Sequence, residues 1–399
     1  MALDVTHQSR VPIAMPNSTE AACPVHQADV LGAGILLDET YCEEDNTILG
    51  ADDDDFAAVV SRDIELEDKT NIIIWHASLL SLWQQFYPPA PTFTDKDLAP
   101  GSQVGRVFII TGANSGIGLE LVKFLYPTGS TIYLVGRSSE RIQNAIDQVT
   151  SISPSPVTPS TLKSLYLDLS DLTTVKPAAA SFAAQETRLD VLWNNAGTGW
   201  PSGSVTKQGV EAHVGANCVG PLFFTHELLS LLRSTAKISP RNSVRVVWSG
   251  SSQIGMRGPK GGVDFERIEK PTTVTWEDYA ASKAGNWFLA VEAASKWGKD
   301  GIINVCINPG NVYTGIYANE NWVFLAFLKR WVLYGAEYGA YTMLFAGFSP
   351  KINEDNNGAY IWPWGNIRPI ARPGVLQAAS EGKAMAFWEW CEKIWKQHV

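Results

Sequence analysis

Tyr279 and Lys283 stand four residues apart in "WEDYAASKAG", with only Ala280, Ala281 and Ser282 between them. Four residues is just over one helical turn, so on a helix the phenol and the ammonium stack along the same side. Such a pair is either ordinary surface decoration or an acid tuned by a neighbouring cation. Tyrosine titrates at about 10 in water, too high for efficient general acid/base work at neutral pH, and a fixed ammonium lowers that value by stabilising the phenolate. A second grouping is "TGANSGIG": Thr111, Gly112, Ala113, Asn114, Ser115, Gly116, Ile117 and Gly118. In a glycine-rich turn between a strand and a helix the backbone can approach a pyrophosphate, whose charge is met by N–H groups at the helix N-terminus. Any tight turn favours glycine, so this loop speaks for phosphate only because of what flanks it. A third grouping, "VVWSGSS", offers the hydroxyls of Ser249, Ser251 and Ser252 for orienting a substrate oxygen.

The elements that must position these groups are regular from Val104 onward. "RVFIITG" is an apolar run ending in glycine, followed by the helix-like "GLELVKFLY", then "STIYLVGR", a polar helical stretch through Val149, and "LKSLYLDLS". Then come "RLDVLWNNAG", a helical segment from about Lys207 to Leu232, "SVRVVWSGSS", the Tyr279 helix to about Trp297, and "GIINVCINPG". Apolar strands alternating with helices indicate crossover units and a parallel sheet covered on both faces. The expected fold is a doubly wound parallel α/β sheet, a Rossmann fold, flanked by helices.

Composition narrows the partners. The 399 residues are 45% hydrophobic, enough for a sizeable core. The net charge of −10 argues against nucleic acid as a partner, but it is concentrated: residues 1–70 carry 16 Asp and Glu against 3 Lys and Arg. The five cysteines, Cys23, Cys42, Cys218, Cys306 and Cys391, are scattered without a C-x-x-C pair, which indicates neither a disulfide framework nor a zinc site. With neither a signal-peptide pattern nor a long apolar run, a soluble, cytoplasmic protein is expected.

Residues 1–75 mix short apolar pieces with Pro, Ser and the acid block "ADDDDF" and read as an acidic, disordered, non-catalytic extension. Residues 76–399 read as one domain, with core 104–315, a substrate lid at about 311–345 and a C-terminal strand and helix at about 357–397. Within "NIIIWHASLLSLWQQFYPPAPTFT", Ile73, Ile74, Leu80, Leu82 and Trp83 could line a short amphipathic helix that stops before Pro88, Pro89 and Pro91. It docks on the main domain or lies on a membrane surface.

The Gly-x-x-x-Gly-x-Gly loop, "NNAG" at Asn194 to Gly197 and the Tyr279/Lys283 pair together resemble the classical short-chain dehydrogenase/reductase family over residues 104 to about 315. The segments "FYPPAPTFTDKDL" and "NGAYIWPWG" are similar to its fungal retinol-dehydrogenase-like reductases. The resemblance implies a nicotinamide cofactor held by Thr111 to Gly118, with Asp168 and Leu169 at the adenine, Asn195, Ala196 and Gly197 on the adenosine side, and Pro309, Gly310, Val312 and Thr314 at the nicotinamide. Strand-end turn chemistry explains Asp168 to Leu169 and Asn195 to Gly197 equally well. No carboxylate follows the second strand to repel a 2′-phosphate; Arg137 and Ser138 stand there instead, and a guanidinium can grip phosphate through two hydrogen bonds. NADP(H) is therefore expected over NAD(H), although Ser115 departs from the basic residue that NADP-dependent members often carry in the loop.

For catalysis the resemblance implies Tyr279 as general acid/base, Lys283 as its tuner and ribose ligand, Ser251 as substrate anchor and Asn217 as holder of a relay water. Asn is a poor helix-interior residue, and Gly215 and Gly220 make a local break at Asn217 credible. No metal is expected. Tyr313, Tyr317, Trp322 and Phe324, with Trp200, Trp248 and Gln253, are candidates for a pocket taking a large apolar or aromatic carbonyl or alcohol of secondary metabolism. Core packing or a homodimer contact accounts for the same aromatics. A non-catalytic NADP(H)-binding regulator and an extended-type epimerase or dehydratase stay as alternatives; the latter usually carries Gly-x-x-Gly-x-x-Gly, which this loop is not.

Overall fold

The computed structural model describes residues 83–197, 199–201, 203–269, 275–313, 330 and 332–398. Eight strands form one sheet: β1 (Val107–Thr111), β2 (Thr131–Gly136), β3 (Thr161–Tyr166), β4 (Val191–Asn194), β5 (Val244–Ser249), β6 (Ile302–Ile307), β7 (Tyr360–Trp362) and β8 (Asn366–Ile367). Their order is β3-β2-β1-β4-β5-β6-β7-β8. The pairings from β3 to β7 are parallel, and only β8 returns antiparallel at the edge. The strand order reverses between β1 and β4, and in open sheets of this kind ligands bind outside the carboxyl ends at that point.

The apolar runs are explained by burial on both faces. Val107 and Ile109 of β1 point into one hydrophobic cluster, while Phe108 and Ile110 point into the other, as a period of two requires. The second cluster includes residues of α1 (Gly116–Leu125), α2 (Ser139–Thr150) and, further along the chain, the helix Ala336–Phe348. The first is covered by α3 (Val175–Ala183), α4 (Gly220–Glu227), α5 (Leu229–Ile238), the 23-residue α6 (Thr275–Trp297) and the C-terminal helix Lys383–His398. With Ala336–Phe348 as α7 and Pro373–Ser380 as α8, the C-terminal helix is α9.

Several boundaries differ from expectation. The segment expected to be helical from Lys207 begins at Ala212, turns through a π-helical stretch at Gly215–Val219, and continues as α4 and α5. Residues 336–345 of the expected lid form the start of α7, where Ala340, Met343, Leu344 and Phe345 are buried. Trp248, named above as a pocket candidate, is wholly buried within β5, because alternate residues of a central strand face the core. Arg245, also buried in β5, donates to the carbonyls of Asn242, Ala346, Ser349 and Ile352, and so caps the end of α7. Burial lowers its pKa to about 10. Residues 1–75, and Ile73, Ile74, Leu80 and Leu82 of the expected amphipathic helix, lie outside the described residues. No helix among the described residues is long and apolar enough to cross a membrane.

Candidate active site

β1 ends at Thr111, and the chain turns through Gly112 (φ +67°) and Gly116 (φ +56°), both in the left-handed region that favours glycine. α1 starts at Gly116 with its first N–H groups facing the carboxyl end of the sheet. A Cβ on Gly118 would lie 2.6 Å from the Gly112 carbonyl oxygen and 2.7 Å from Asn195 Nδ2, so only glycine lets the helix approach this closely. Asn195 Nδ2 in turn donates to the Thr111 carbonyl at 2.7 Å, and the Ala196 N–H donates to Thr111 Oγ1 at 2.9 Å. The turn after β4 is thereby tied to the glycine loop.

At the end of β2, the Ser138 hydroxyl caps α2 by accepting from the Arg141 N–H at 3.3 Å. The Arg137 guanidinium lies 5.6 Å from the centre of the Trp200 ring. Asp168 Oδ1 accepts from the Ser170 N–H at 2.9 Å and its hydroxyl at 2.6 Å, which fixes the turn after β3. All these turns open on one cleft of about 850 Å³. Its walls include Thr111, Gly112, Asn114, Ser115, Gly116, Ile117, Arg137, Ser138, Asp168, Leu169, Asn195, Ala196, Gly197, Asn217, Ser251, Tyr279, Lys283, Pro309, Gly310 and Val312. Of the residues singled out in the sequence, Gly118 lies behind the cleft wall as a packing position. Thr314, Tyr317, Trp322 and Phe324 lie outside the described residues.

The far end of the cleft is built from buried polar side chains. Lys283 is 3% exposed, donates from Nζ to the Ser249 carbonyl at 2.9 Å, and lies 5.5 Å from the centre of the Tyr279 ring. Burial lowers its pKa to about 8, with smaller opposing contributions from Cys218 and Cys306. A Cβ on Gly197 would sit 2.8 Å from that ammonium, so the glycine leaves the room Lys283 uses. Asn217, inside the π-helical turn, donates from Nδ2 to Ser282 Oγ at 3.0 Å. Its Oδ1 is buried and, among the described residues, has no hydrogen-bond partner; it faces the same space beside Gly197. An orphaned acceptor next to a buried ammonium suits a water or ligand donor placed between them.

All three serines of "VVWSGSS" reach the cleft wall. Ser251 Oγ accepts from the Gln253 N–H at 3.2 Å, and the Ser251 carbonyl accepts from the Tyr360 hydroxyl at 2.9 Å. Ser249 is buried at the end of β5, its carbonyl shared by Lys283 and Asn286. Trp200 and Gln253 line the cleft, whereas Tyr313 is 40% exposed. A second cavity of about 1100 Å³ adjoins Tyr279 and Trp200 and is lined by Met256, Arg257, Pro259, Lys260, Trp276 and Arg372. Among the described residues no group of three or more His, Cys, Asp and Glu is placed to hold a metal ion.

Two groups at this end carried no signal in the sequence reading. His213, buried beside Glu211, has Nδ1 2.7 Å from Glu211 Oε1 and accepts the Trp200 N–H on Nε2 at 2.9 Å. Since the backbone N–H can only donate, the proton of neutral His213 sits on Nδ1. Its ring is 6.1 Å from that of Tyr279, so it pins Trp200 where both cavities meet the phenol. Gln85, from the segment before the first strand, is 5% exposed and bonded to Asn308 and Asn311, which flank Pro309 and Gly310. The only hint in the sequence was the pair of asparagines around that Pro-Gly.

The short chain dehydrogenase family is matched over residues 106–259. A short-chain dehydrogenase/reductase of Pestalotiopsis fici is 66% identical over 323 residues, 81% of this chain and 100% of that one. A second, of Phomopsis amygdali, is 39% identical over 338 residues, 81% of this chain and 98% of that one. Among solved structures, an uncharacterized protein from Mycobacterium paratuberculosis aligns with a TM-score of 0.55 at 24% identity, over 76% of this chain and 97% of that one. A Pseudomonas aeruginosa RhlG/NADP complex aligns with a TM-score of 0.51 at 23% identity, over 67% of this chain and 98% of that one. At these identities the structural likeness speaks for the fold.

Proposed function

The chain belongs to the short-chain dehydrogenase/reductase family, and from that premise we propose that it transfers a hydride between NADP(H) and a carbonyl compound or the corresponding alcohol. The observation that carries this reading is Lys283: an ammonium buried beside Tyr279, at the end of the same cleft that begins at the positive-φ glycines.

The glycine loop and the first turn of α1 would hold the pyrophosphate, Arg137 the 2′-phosphate, and the Pro309–Val312 turn the nicotinamide. When bound, the nicotinamide supplies or accepts the hydride. The chain's own residues handle the proton. The Tyr279 hydroxyl protonates the substrate oxygen in reduction and takes the proton back in oxidation. Lys283 stabilises the phenolate that is left, and Ser251 holds the substrate oxygen by hydrogen bonding. Asn217 Oδ1 accepts from a water that returns a proton toward Lys283. Protonation by a phenol polarises the carbonyl without a metal.

The cavity beside Tyr279 supports a large, ring-bearing substrate, with Trp200 and Trp276 among its lining residues and Arg257, Lys260 and Arg372 available as donors for oxygen substituents. Such compounds are typical of secondary metabolism. The test is turnover of a carbonyl panel with NADPH and with NADH. Tyr279→Phe is expected to keep NADPH binding while turnover falls by about 10²- to 10⁴-fold. Unchanged turnover in that variant removes Tyr279 from the chemistry, and NADPH binding without turnover of any substrate by the wild type favours a non-catalytic role.

A further inference from the structure

We propose that Gln85 is a positioning residue for the nicotinamide end of the cleft, a role that rests on the NADP(H) reading above. Gln85 precedes the matched family region, residues 106–259, yet its side chain is buried behind the Pro309–Val312 turn, whose residues line the cleft. Burying a primary amide is unfavourable unless it finds hydrogen-bond partners, and here both Oε1 and Nε2 find one beside the turn, in Asn308 and Asn311.

The hydrogen bonds form a chain with a fixed direction. The Gly310 N–H can only donate, and it donates to Asn308 Oδ1 at 3.0 Å. That sets the Asn308 amide, whose Nδ2 donates to Gln85 Oε1 at 2.7 Å. The Gln85 amide is set in turn, and its Nε2 points to Asn311 Oδ1 at 3.5 Å. Asn311 Nδ2 returns to the Gln85 carbonyl at 3.4 Å, and the Tyr334 hydroxyl donates to the neighbouring Phe86 carbonyl at 3.2 Å. Gln85 thus joins Asn308 and Asn311, one on each side of Pro309 and Gly310. Gly310 has φ +81°, a conformation available to few other residues, and the chain of amides holds it there from behind. A residue that merely tied down the N-terminal flank would need no contact with both sides of a ligand-facing turn.

The consequence is selective. Loss of the Gln85 amide loosens the turn that meets the nicotinamide and leaves the glycine loop, Arg137 and Asp168 untouched. The test uses the full chain and titrates NADPH and 2′,5′-ADP, which carries only the adenosine end, against wild type, Gln85→Leu and Gln85→Glu. For Gln85→Leu the NADPH affinity is expected to fall about tenfold, the scale of a lost buried hydrogen bond, with a lower kcat and an unchanged 2′,5′-ADP affinity. Gln85→Glu keeps an acceptor for Asn308, loses the donor to Asn311, and falls between the two; it carries the test alone if Gln85→Leu does not fold. NADPH affinity within twofold of wild type in folded variants overturns the proposal, as does an equal loss for both ligands, which marks general damage. A wild type that binds 2′,5′-ADP but not NADPH, or neither, overturns the NADP(H) reading and this role with it.

Discussion

The two ends of the cleft are built in different ways. At the glycine loop the backbone does the shaping: Gly112 and Gly118 remove side chains so that the turn, the start of α1 and the β4 turn come within touching distance, and Gly116 supplies a second left-handed residue. At the Tyr279 end the wall includes the buried polar side chains Lys283 and Asn217, and behind it stand His213 and the Gln85–Asn308–Asn311 chain, each held by partners from another element. On the proposed function, the first design would recognise a constant ligand part by fixed N–H groups. The second keeps ionisable and hydrogen-bonding atoms out of water, where a cation acts more strongly on a neighbouring phenol.

That contrast predicts where substitutions act. Lys283→Met should give the largest effect, a fall in turnover of about 10²- to 10⁴-fold with 2′,5′-ADP affinity intact. The same variant tests the cost of burying the ammonium. The folded pKa of Lys283 is depressed to about 8, so the penalty is fully present below pH 8 and fades as pH rises toward the ordinary lysine value of about 10.5. Cofactor-free wild type should therefore be less stable than Lys283→Met by roughly 3 kcal/mol at pH 7, with the gap shrinking to about 1 kcal/mol or less by pH 10. Denaturation midpoints of both proteins across that range decide it; a gap that widens with pH refutes the sign.

Gly118→Ala should act at the opposite end. Its Cβ would meet the Gly112 carbonyl at 2.6 Å, and overpacking of this kind costs about 1–3 kcal/mol. The expected outcome is loss of affinity for NADPH and 2′,5′-ADP alike, by about tenfold to a hundredfold, which fluorescence titration would show. Equal affinities in the variant would mean the approach of α1 is not tight. Arg137→Ala should be the mildest: the ratio of NADPH to NADH affinity drops about tenfold, the scale of a charge-assisted hydrogen bond, with kcat on NADH unchanged. A wild type that prefers NADH removes the role assigned to Arg137.

The same contrast explains what could be read in advance. β1 was visible in "RVFIITG" because a parallel strand buried on both faces must be apolar throughout. The break at Asn217 followed from its glycine neighbours, and the structure places a π-helical turn there. Gln85 could not be read, because its partner Asn308 is 223 residues away and no periodicity links them. His213 looked like any helical histidine; only the fold brings Trp200 to its Nε2. Trp248 stayed open between pocket and core, because an aromatic near an expected site reads as either, and its burial in the central strand β5 assigns it to the core. How far a lid extends into α7 was not legible, because a mostly apolar helix marks packing inside the protein as well as a cover over a substrate.

α9 packs so closely on α6 that a Cβ on Gly285 would meet the Phe387 ring at 2.7 Å, and Phe387, Cys391 and Trp395 are buried there. The helix that carries Tyr279 and Lys283 is thus finished by the last 16-residue helix of the chain. During synthesis the glycine loop emerges long before that helix, so the nascent chain has its glycine turn first and complete packing behind Tyr279 last. A frameshift or proteolytic cut that removes α9 alone would bare the apolar back of α6, turning a late truncation into damage at the cleft that Tyr279 and Lys283 line.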